Sequence, residues 1–262
     1  MNDDSLDSWG ERIFQKVITG NYGMRLYYRF LEGLHQRTTQ NKDAVVAVCG
    51  ERGLGKSSFA ILSSILLRRI GLSYSFSNNF YGSEKTKEVL TEIVNSEKTV
   101  YNFDEVINYG YSRNATTRIN KRFANIFTMA RKLNNVYFYC IPKFRKLDSD
   151  LRNDIVHYWI EIFWQSNTKD HHKKYAHAVI FRKDKNPISL DPWGFEEMRA
   201  YKYKKVFTHE AQQRILKKMR SYVCTISFPA LPLKLEEEYE QLSKDALRKT
   251  MSSIKEEKTN IY

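Results

Sequence analysis

The sequence predicts an α/β fold: a central, mostly parallel sheet flanked by helices and extended by antiparallel strands. Three observations carry this expectation. Residues 44–49 (Ala-Val-Val-Ala-Val-Cys) and 136–141 (Val-Tyr-Phe-Tyr-Cys-Ile) are continuous apolar runs of strand length, the pattern of strands buried on both faces. A glycine loop follows the first run and opens a helical pattern, the alternation expected of a parallel strand–helix unit. The chain has 262 residues, of which 42% are hydrophobic and 14% aromatic, which supports a packed core and excludes wholesale disorder.

The elements follow in chain order. Residues 1–22 are polar and weakly patterned and read as a loose arm. From Met24, the set Met24, Tyr27, Phe30, Leu31 and Leu34 recurs at helical spacing. These two segments make up an N-terminal region, 1–43, set apart by a polar break at 38–43. Residues 44–49 are a strand, 57–70 a helix closed by Gly71, 72–76 a short strand and 84–94 a helix. Residues 99–103 form a strand ending in Asp104-Glu105. Residues 117–133 carry the stripe Ile119, Phe123, Ile126, Phe127, Ala130 and Leu133 and read as a helix. After the strand at 136–141, stopped by Pro142, two aromatic-rich strands at 156–164 and 175–182 form an antiparallel pair that extends the sheet. The core region spans 44–208. The remainder, 209–262, reads as a basic helix at 212–222, a linker marked by Pro229 and Pro232, and a charged, exposed helix or arm at 235–255.

No apolar run approaches the roughly 20 residues that span a bilayer, and no secretory leader opens the chain. Three cysteines, Cys49, Cys140 and Cys224, are too few for a disulfide framework and lack zinc-site spacing. A cytoplasmic protein with reduced thiols is expected. The 43 Lys and Arg against 30 Asp and Glu give a net charge of +13. The excess is local: residues 44–109 hold seven of each sign, whereas 110–155 hold ten basic and three acidic groups, and 166–220 fourteen and six. So concentrated a patch fits a nucleic acid.

The sharpest signal is Gly50-Glu51-Arg52-Gly53-Leu54-Gly55-Lys56-Ser57, which fits G-x-x-x-x-G-K-[ST] without mismatch, between an apolar strand and a helix. Glycines let successive N–H groups converge on a phosphate, and the helix N-terminus adds partial positive charge. In this arrangement all eight loop residues and Ser58 bind nucleotide, Lys56 reaches the β- and γ-phosphates, and Ser57 ligates Mg²⁺. Asp104, at the carboxyl end of its apolar strand, is the second Mg²⁺-directed group. Glu105 follows it as the residue that polarises water for in-line attack. ATP and Mg²⁺ are the cofactors this chemistry calls for.

Over residues 44–142 the chain resembles P-loop NTPases with an added catalytic glutamate, which implies a RecA-like fold. In such proteins the strand carrying a polar sensor lies between the two motif strands; here that strand is 136–141. Its tip reads Cys140-Ile141-Pro142 rather than the usual Gln, Asn, Thr or Ser, so Asn102 or Lys143 is left to take the sensor role. The order of elements, with Leu147-Asp-Ser-Asp-Leu-Arg152 after the sensor strand, is similar to the HerA–FtsK pumps and the Zot-like ATPases of viruses and plasmids. That resemblance implies a homo-oligomer, commonly a hexameric ring, that translocates or packages DNA in the cytoplasm, that of the host for a virus. A ring motor also needs an arginine from a neighbouring subunit to stabilise the transferring phosphoryl group. Arg145 and Arg152 lie where such a residue would emerge, with Arg113, Arg118, Arg122 and Arg52 as further candidates.

Candidate DNA contacts are Arg113, Arg118, Lys121, Arg122, Lys173, Lys174, Arg182, Lys183, Lys185, Lys202, Lys204 and Lys205. The run Tyr201-Lys-Tyr-Lys-Lys205 suits stacking plus phosphate contact, and equally a strand that buries tyrosine and solvates lysine. No base-reading module is visible, so binding is expected to be sequence-independent and salt-dependent. Two function classes stay open: a DNA-translocating ATPase, and an ATP-dependent DNA-binding switch or loader of the AAA+-like kind. A small-molecule kinase fits poorly with the basic surface and the Asp-Glu pair.

Overall fold

The strand that everything else is built around, β1 (Ala44–Cys49), is buried at all six positions, as its valine-rich run requires. The computed structural model describes residues 3–81, 86–104, 130–147, 149, 151–166, 170, 174–184, 191–195 and 209–259. Within them the elements run α1 (Asp3–Ile18), α2 (Tyr22–Thr39), β1, α3 (Lys56–Arg69), β2 (Asn79–Phe80), α4 (Thr86–Val94) and β3 (Val100–Asp104). They continue with β4 (Val136–Ile141), β5 (Tyr158–Gln165), β6 (Tyr175–Arg182), α5 (His209–Lys218), β7 (Tyr222–Pro229) and α6 (Leu233–Thr259).

The strands form one seven-stranded mixed sheet in the order β2-β3-β4-β1-β5-β6-β7. The first five are parallel, and β6 and β7 are antiparallel additions. The α/β class and the antiparallel extension are thus as expected. The architecture is compatible with a RecA-like fold without being specific to it.

Alternation along β1 sends Val46 and Val48 to one face and Val45, Ala47 and Cys49 to the other. On the first face lie α1, α2 and α3. Helix α3 is sandwiched there, buried continuously from Phe59 to Leu67. The second face is aromatic, with Phe144 and Phe181 each stacked on Trp159 and with Trp193 edge-on to Phe144. Glu161 lies buried on β5, where its carboxylate accepts from the Trp159 indole N–H at 3.1 Å.

Five expectations need correction. The loose arm is instead helix α1, whose face Leu6, Gly10, Ile13, Val17 recurs at i, i+4, i+7 and i+11. The glycine in that stripe hides it from a reading of apolar residues alone. A Cβ at Gly10 would sit 3.6 Å from Ile65, an ordinary van der Waals contact, so this position of α1 faces α3 directly. Asp7 and Glu11 then clamp Arg68 and Arg69 at 2.7 and 2.9 Å. The strand expected at 72–76 is only a bridge between Ser73 and Thr99, and the edge strand is the two-residue β2. The basic helix expected at 212–222 is α5, ending at Lys218, and the stretch from Tyr222 to the first linker proline forms strand β7, burying Ile226 and Phe228 against the helical face. The last turn of the helix expected at 117–133 is a 3₁₀ turn, Ala130–Leu133; the rest of it lies outside the described residues. Finally, α6 is anchored rather than free, because Leu235 is fully buried.

A polar chain runs through the core between α3 and the β2–β3 edge. Ser64 Oγ donates to Asn102 Oδ1 at 3.0 Å, and Asn102 Nδ2 donates to Asn79 Oδ1 at 2.8 Å. Asn79 also bonds Tyr74. Satisfied buried groups of this kind fix register as well as stability.

At the amino ends of the strands, His157 accepts from the Val45 N–H through Nδ1 at 3.1 Å and lies 4.0 Å from the carboxylate of Asp43. Burial, then Arg37, Arg131 and Arg182, pull the His157 pKa down to about 3. Burial raises that of Asp43 to about 6 against the opposing pull of Arg131 and Arg37.

Two outcomes follow from this packing. Phe59 touches Tyr27, Phe138 and Phe228, so Phe59→Ala is expected to cost about 3–5 kcal/mol in urea unfolding. The His157 pKa is depressed on folding, so its contribution is whole above pH 6.5 and lost as pH falls toward 3. Asp43, shifted upward, binds its proton more tightly when folded and offsets part of that loss between about pH 6 and 4. His157→Gln should therefore flatten the acid limb of a stability–pH curve measured by urea unfolding. An unchanged limb would assign acid sensitivity elsewhere.

Candidate functional site

Parallel pairing brings three strand ends together at one edge. Cys49 of β1 is paired with Ile141 of β4, and Cys140 of β4 with Asp104 of β3. The sensor-strand position expected for 136–141, between the two motif strands, is the one observed. The crevice outside these carboxyl ends is where open α/β sheets bind ligands.

The glycine loop emerges from β1 into that crevice. Gly50, Gly53 and Gly55 adopt φ values of +150°, +82° and +89°. Gly55 is the left-handed N-cap of α3, which leaves the first amides of that helix facing the loop. Gly50 meets a different constraint: a Cβ there would lie 2.7 Å from the Ile162 carbonyl oxygen of β5. The Lys56 ammonium folds back over the loop and donates to the carbonyl oxygens of Gly50 at 3.1 Å and Glu51 at 2.9 Å. Glu51, Arg52 and Gly53 are exposed, while Leu54, Ser57 and Ser58 are half-buried.

Ser57 opens the first turn of α3 and donates from Oγ to Asp104 Oδ2 at 3.1 Å. Two residues 47 positions apart thus meet as a pair of hard oxygen donors beside a phosphate-type loop. That donor chemistry fits Mg²⁺, which takes one or two protein oxygens and fills its remaining positions with water and phosphate. Among the described residues no cluster of three or more His, Cys, Asp or Glu that could hold a metal ion is found.

The same Asp104 oxygen accepts a second hydrogen bond, from the phenol of Tyr239 on α6. Burial and the neighbouring carboxylate push the Tyr239 pKa far up, so the phenol stays protonated and donates. Its ring packs 5.6 Å from that of Tyr81, just past β2. Tyr239 was not foreseen among the site residues; the signal was the i, i+4 pair Leu235–Tyr239, whose apolar faces leave the charged side of the helix. Cys140 occupies the tip of β4 next to Asp104, and burial, then the charge of Asp104, keep its thiol protonated. Asn102, a candidate sensor, is instead committed to Ser64 and Asn79 inside the core. Lys143, the other, is exposed.

Arg145 and Arg152, the two arginines beyond β4 expected to serve a neighbouring subunit, share one partner. The guanidinium carbons of Arg145 and Arg152 stand 4.7 and 5.5 Å from the centre of the Phe195 ring. Arg152 also donates to the carbonyl oxygens of Arg145 and Leu147, within its own segment. Of the candidate DNA contacts, Lys183 is tied to the Asn153 carbonyl at 2.6 Å, Arg182 is exposed over Tyr158, and Lys174 stands beside the loop near Leu54 and Ser58. Glu105, Arg113, Arg118, Lys121, Arg122, Lys173, Lys185, Lys202, Lys204 and Lys205 lie outside the described residues. No helix among the described residues is long and apolar enough to cross a membrane. The chain matches no protein-family model and no curated protein.

The glycine geometry can be tested by itself. Gly50→Ala must displace the Ile162 carbonyl and is expected to cost about 2–3 kcal/mol in urea unfolding. Gly53→Ala has open space around its Cβ and bears only the left-handed backbone penalty, about 1–2 kcal/mol. A reversal of that order would show that the loop is not held against β5.

Proposed function

We propose that the protein is a Mg²⁺-dependent ATPase that acts on DNA, as a translocating or packaging motor. The observation that carries the nucleotide half of this reading is the Ser57–Asp104 hydrogen bond, which joins the phosphate loop to the tip of β3. In the proposed reaction Lys56 exchanges its two loop carbonyls for β- and γ-phosphate oxygens, so the loop oxygens act as a rest position for its charge. The amides from Gly53 to Ser58 cradle the phosphates. Ser57 and Asp104 are the residues that would hold Mg²⁺, which supplies charge neutralisation on the phosphate oxygens. Glu105 orients the attacking water. A neighbouring subunit's arginine completes the site in the oligomeric, ring-forming version of this proposal.

The DNA half is supported by the basic excess between residues 110 and 220. A DNA-binding switch without translocation is the second reading. It is favoured by the contact between α6 and Asp104, which ties a whole element to the occupancy of the site.

Steady-state phosphate release tests the chemistry: Lys56→Ala and Glu105→Gln are each expected to lower the rate by at least about 100-fold. Glu105→Gln should still bind ATP. Equal rates in all three proteins would refute ATP hydrolysis at this site. Double-stranded DNA is expected to raise the wild-type rate at low salt, with the effect fading between about 50 and 200 mM salt. Slow turnover that merely switches DNA affinity would select the second reading.

A further inference from the structure

Helix α6 crosses the mouth of the phosphate loop. It begins beyond β7, where Leu235 packs with Leu231 and Phe228 in the helical-face core. One residue on, Glu236 lines a small cleft with Leu54, Gly55 and Ser58 at the N-terminus of α3. One turn further, Tyr239 reaches Asp104, and its ring meets Tyr81 on the far side. Residues 235, 236 and 239 lie on one side of a helix, so a single rigid element makes all of these contacts. Both residues sit where a ligand would meet the protein. Glu236 lines the cleft at the helix end that would receive phosphate. Tyr239 brings the positive end of an O–H dipole to the carboxylate that would face a cation.

The two occupants of Asp104 exclude one another. Oδ2 already accepts from Ser57 and from Tyr239. A cation seated between Ser57 Oγ and Asp104 Oδ2, the two atoms that already face each other, meets the phenol proton there. Past Tyr239 the helix makes pairs with itself, Lys244 with Glu240 and Arg248 with Asp245. Leu242 is 37% exposed. Leu235, Glu236 and Tyr239 are the α6 residues seen at the core, the loop cleft and Asp104 respectively.

We propose that Tyr239 is a gating residue of the metal site: it caps Asp104 in the nucleotide-free protein, and Mg²⁺–nucleotide binding breaks that bond and lifts α6 from the loop. The inference rests on the Mg²⁺–nucleotide reading of the site and adds its regulation. The ligand that opens the gate is a nucleoside triphosphate with its cation, since nucleotide without metal leaves the Asp104–Tyr239 bond unchallenged.

The test uses the full-length protein and a fluorescent, non-hydrolysable ATP analogue, with Mg²⁺ titrated from an EDTA baseline. Tyr239→Phe removes only the hydroxyl and is expected to lower the Mg²⁺ concentration for half-maximal binding by about tenfold, the scale of one hydrogen bond to a charged group. An unchanged or raised Mg²⁺ requirement would overturn the gate. Hydrogen exchange of wild-type residues 233–246 provides a second reading that needs no variant. Their amides should exchange faster with analogue plus Mg²⁺ than with analogue in EDTA; equal or slower exchange overturns the proposal even where Tyr239→Phe fails to fold. Lys56→Ala separates the two levels. If it binds the analogue as wild type does, the nucleotide reading itself fails. If it loses binding while Tyr239→Phe behaves as wild type, only the gate fails.

Discussion

The parallel pairing of β4 between β1 and β3 is the constraint on which the site depends. It ends three strands at one edge, so the loop leaving β1 and the carboxylate ending β3 face the same crevice. The pairing is enforced from both sides, because β1 and β4 are buried along their whole lengths. A one-residue slip of β4 would exchange its two faces and drive Tyr137 and Tyr139 from the aromatic layer into the helical one. Ser57 meets Asp104 only because this register holds.

The second support is the way α3 is held. A helix buried from Phe59 to Leu67 cannot shift along its axis without breaking contacts on several sides, so its first turn is a fixed platform for the loop. Helix α1 packs α3 from outside through a face that includes glycine, and Arg68 and Arg69 close the arrangement with acidic residues of α1. Exposed ion pairs like these are each worth less than about 1 kcal/mol, so they orient α1 more than they stabilise it. Rigidity at the start of α3 lets the Gly55 backbone keep its left-handed turn.

Much of this was legible because the physics is local. A valine-rich hexamer with buried faces reads as an interior strand from composition alone, and β1 and β4 lie within the bounds expected of them. The glycine loop is legible for the same reason, since its backbone angles demand residue types that stand out in a sequence. What was missed depends on distant partners. Helix α1 looked unpatterned because one of its four contact positions is glycine, whose role appears only with Ile65 in place. Strand β7 is an antiparallel neighbour of β6, and its residues, set between an expected helix and the first of two prolines, carry no local signal as strong as that partner. Tyr239 is 135 residues from Asp104 and looked like one aromatic on a charged helix. Asn102, a candidate sensor on sequence, is turned inward to Ser64 by the alternation of β3, which leaves Asp104, two residues on, to meet the same helix.

The placement of α6 changes how the charge distribution bears on function. Within residues 44–109 the signs balance, and the basic excess lies further along the chain. Yet the element laid over the loop comes from a later segment whose first turns carry Glu236, Glu237, Glu238 and Glu240. An acidic helix start is favourable for the helix itself, because carboxylates complement its own N-terminal dipole. Of these residues Glu236 borders the glycine loop, in a cleft with Leu54, Gly55 and Ser58, while Glu237 and Glu240 are exposed and Glu240 pairs with Lys244. The acidic start of α6 therefore answers first to the helix that carries it, and the contact with Asp104 is made by an uncharged phenol, that of Tyr239.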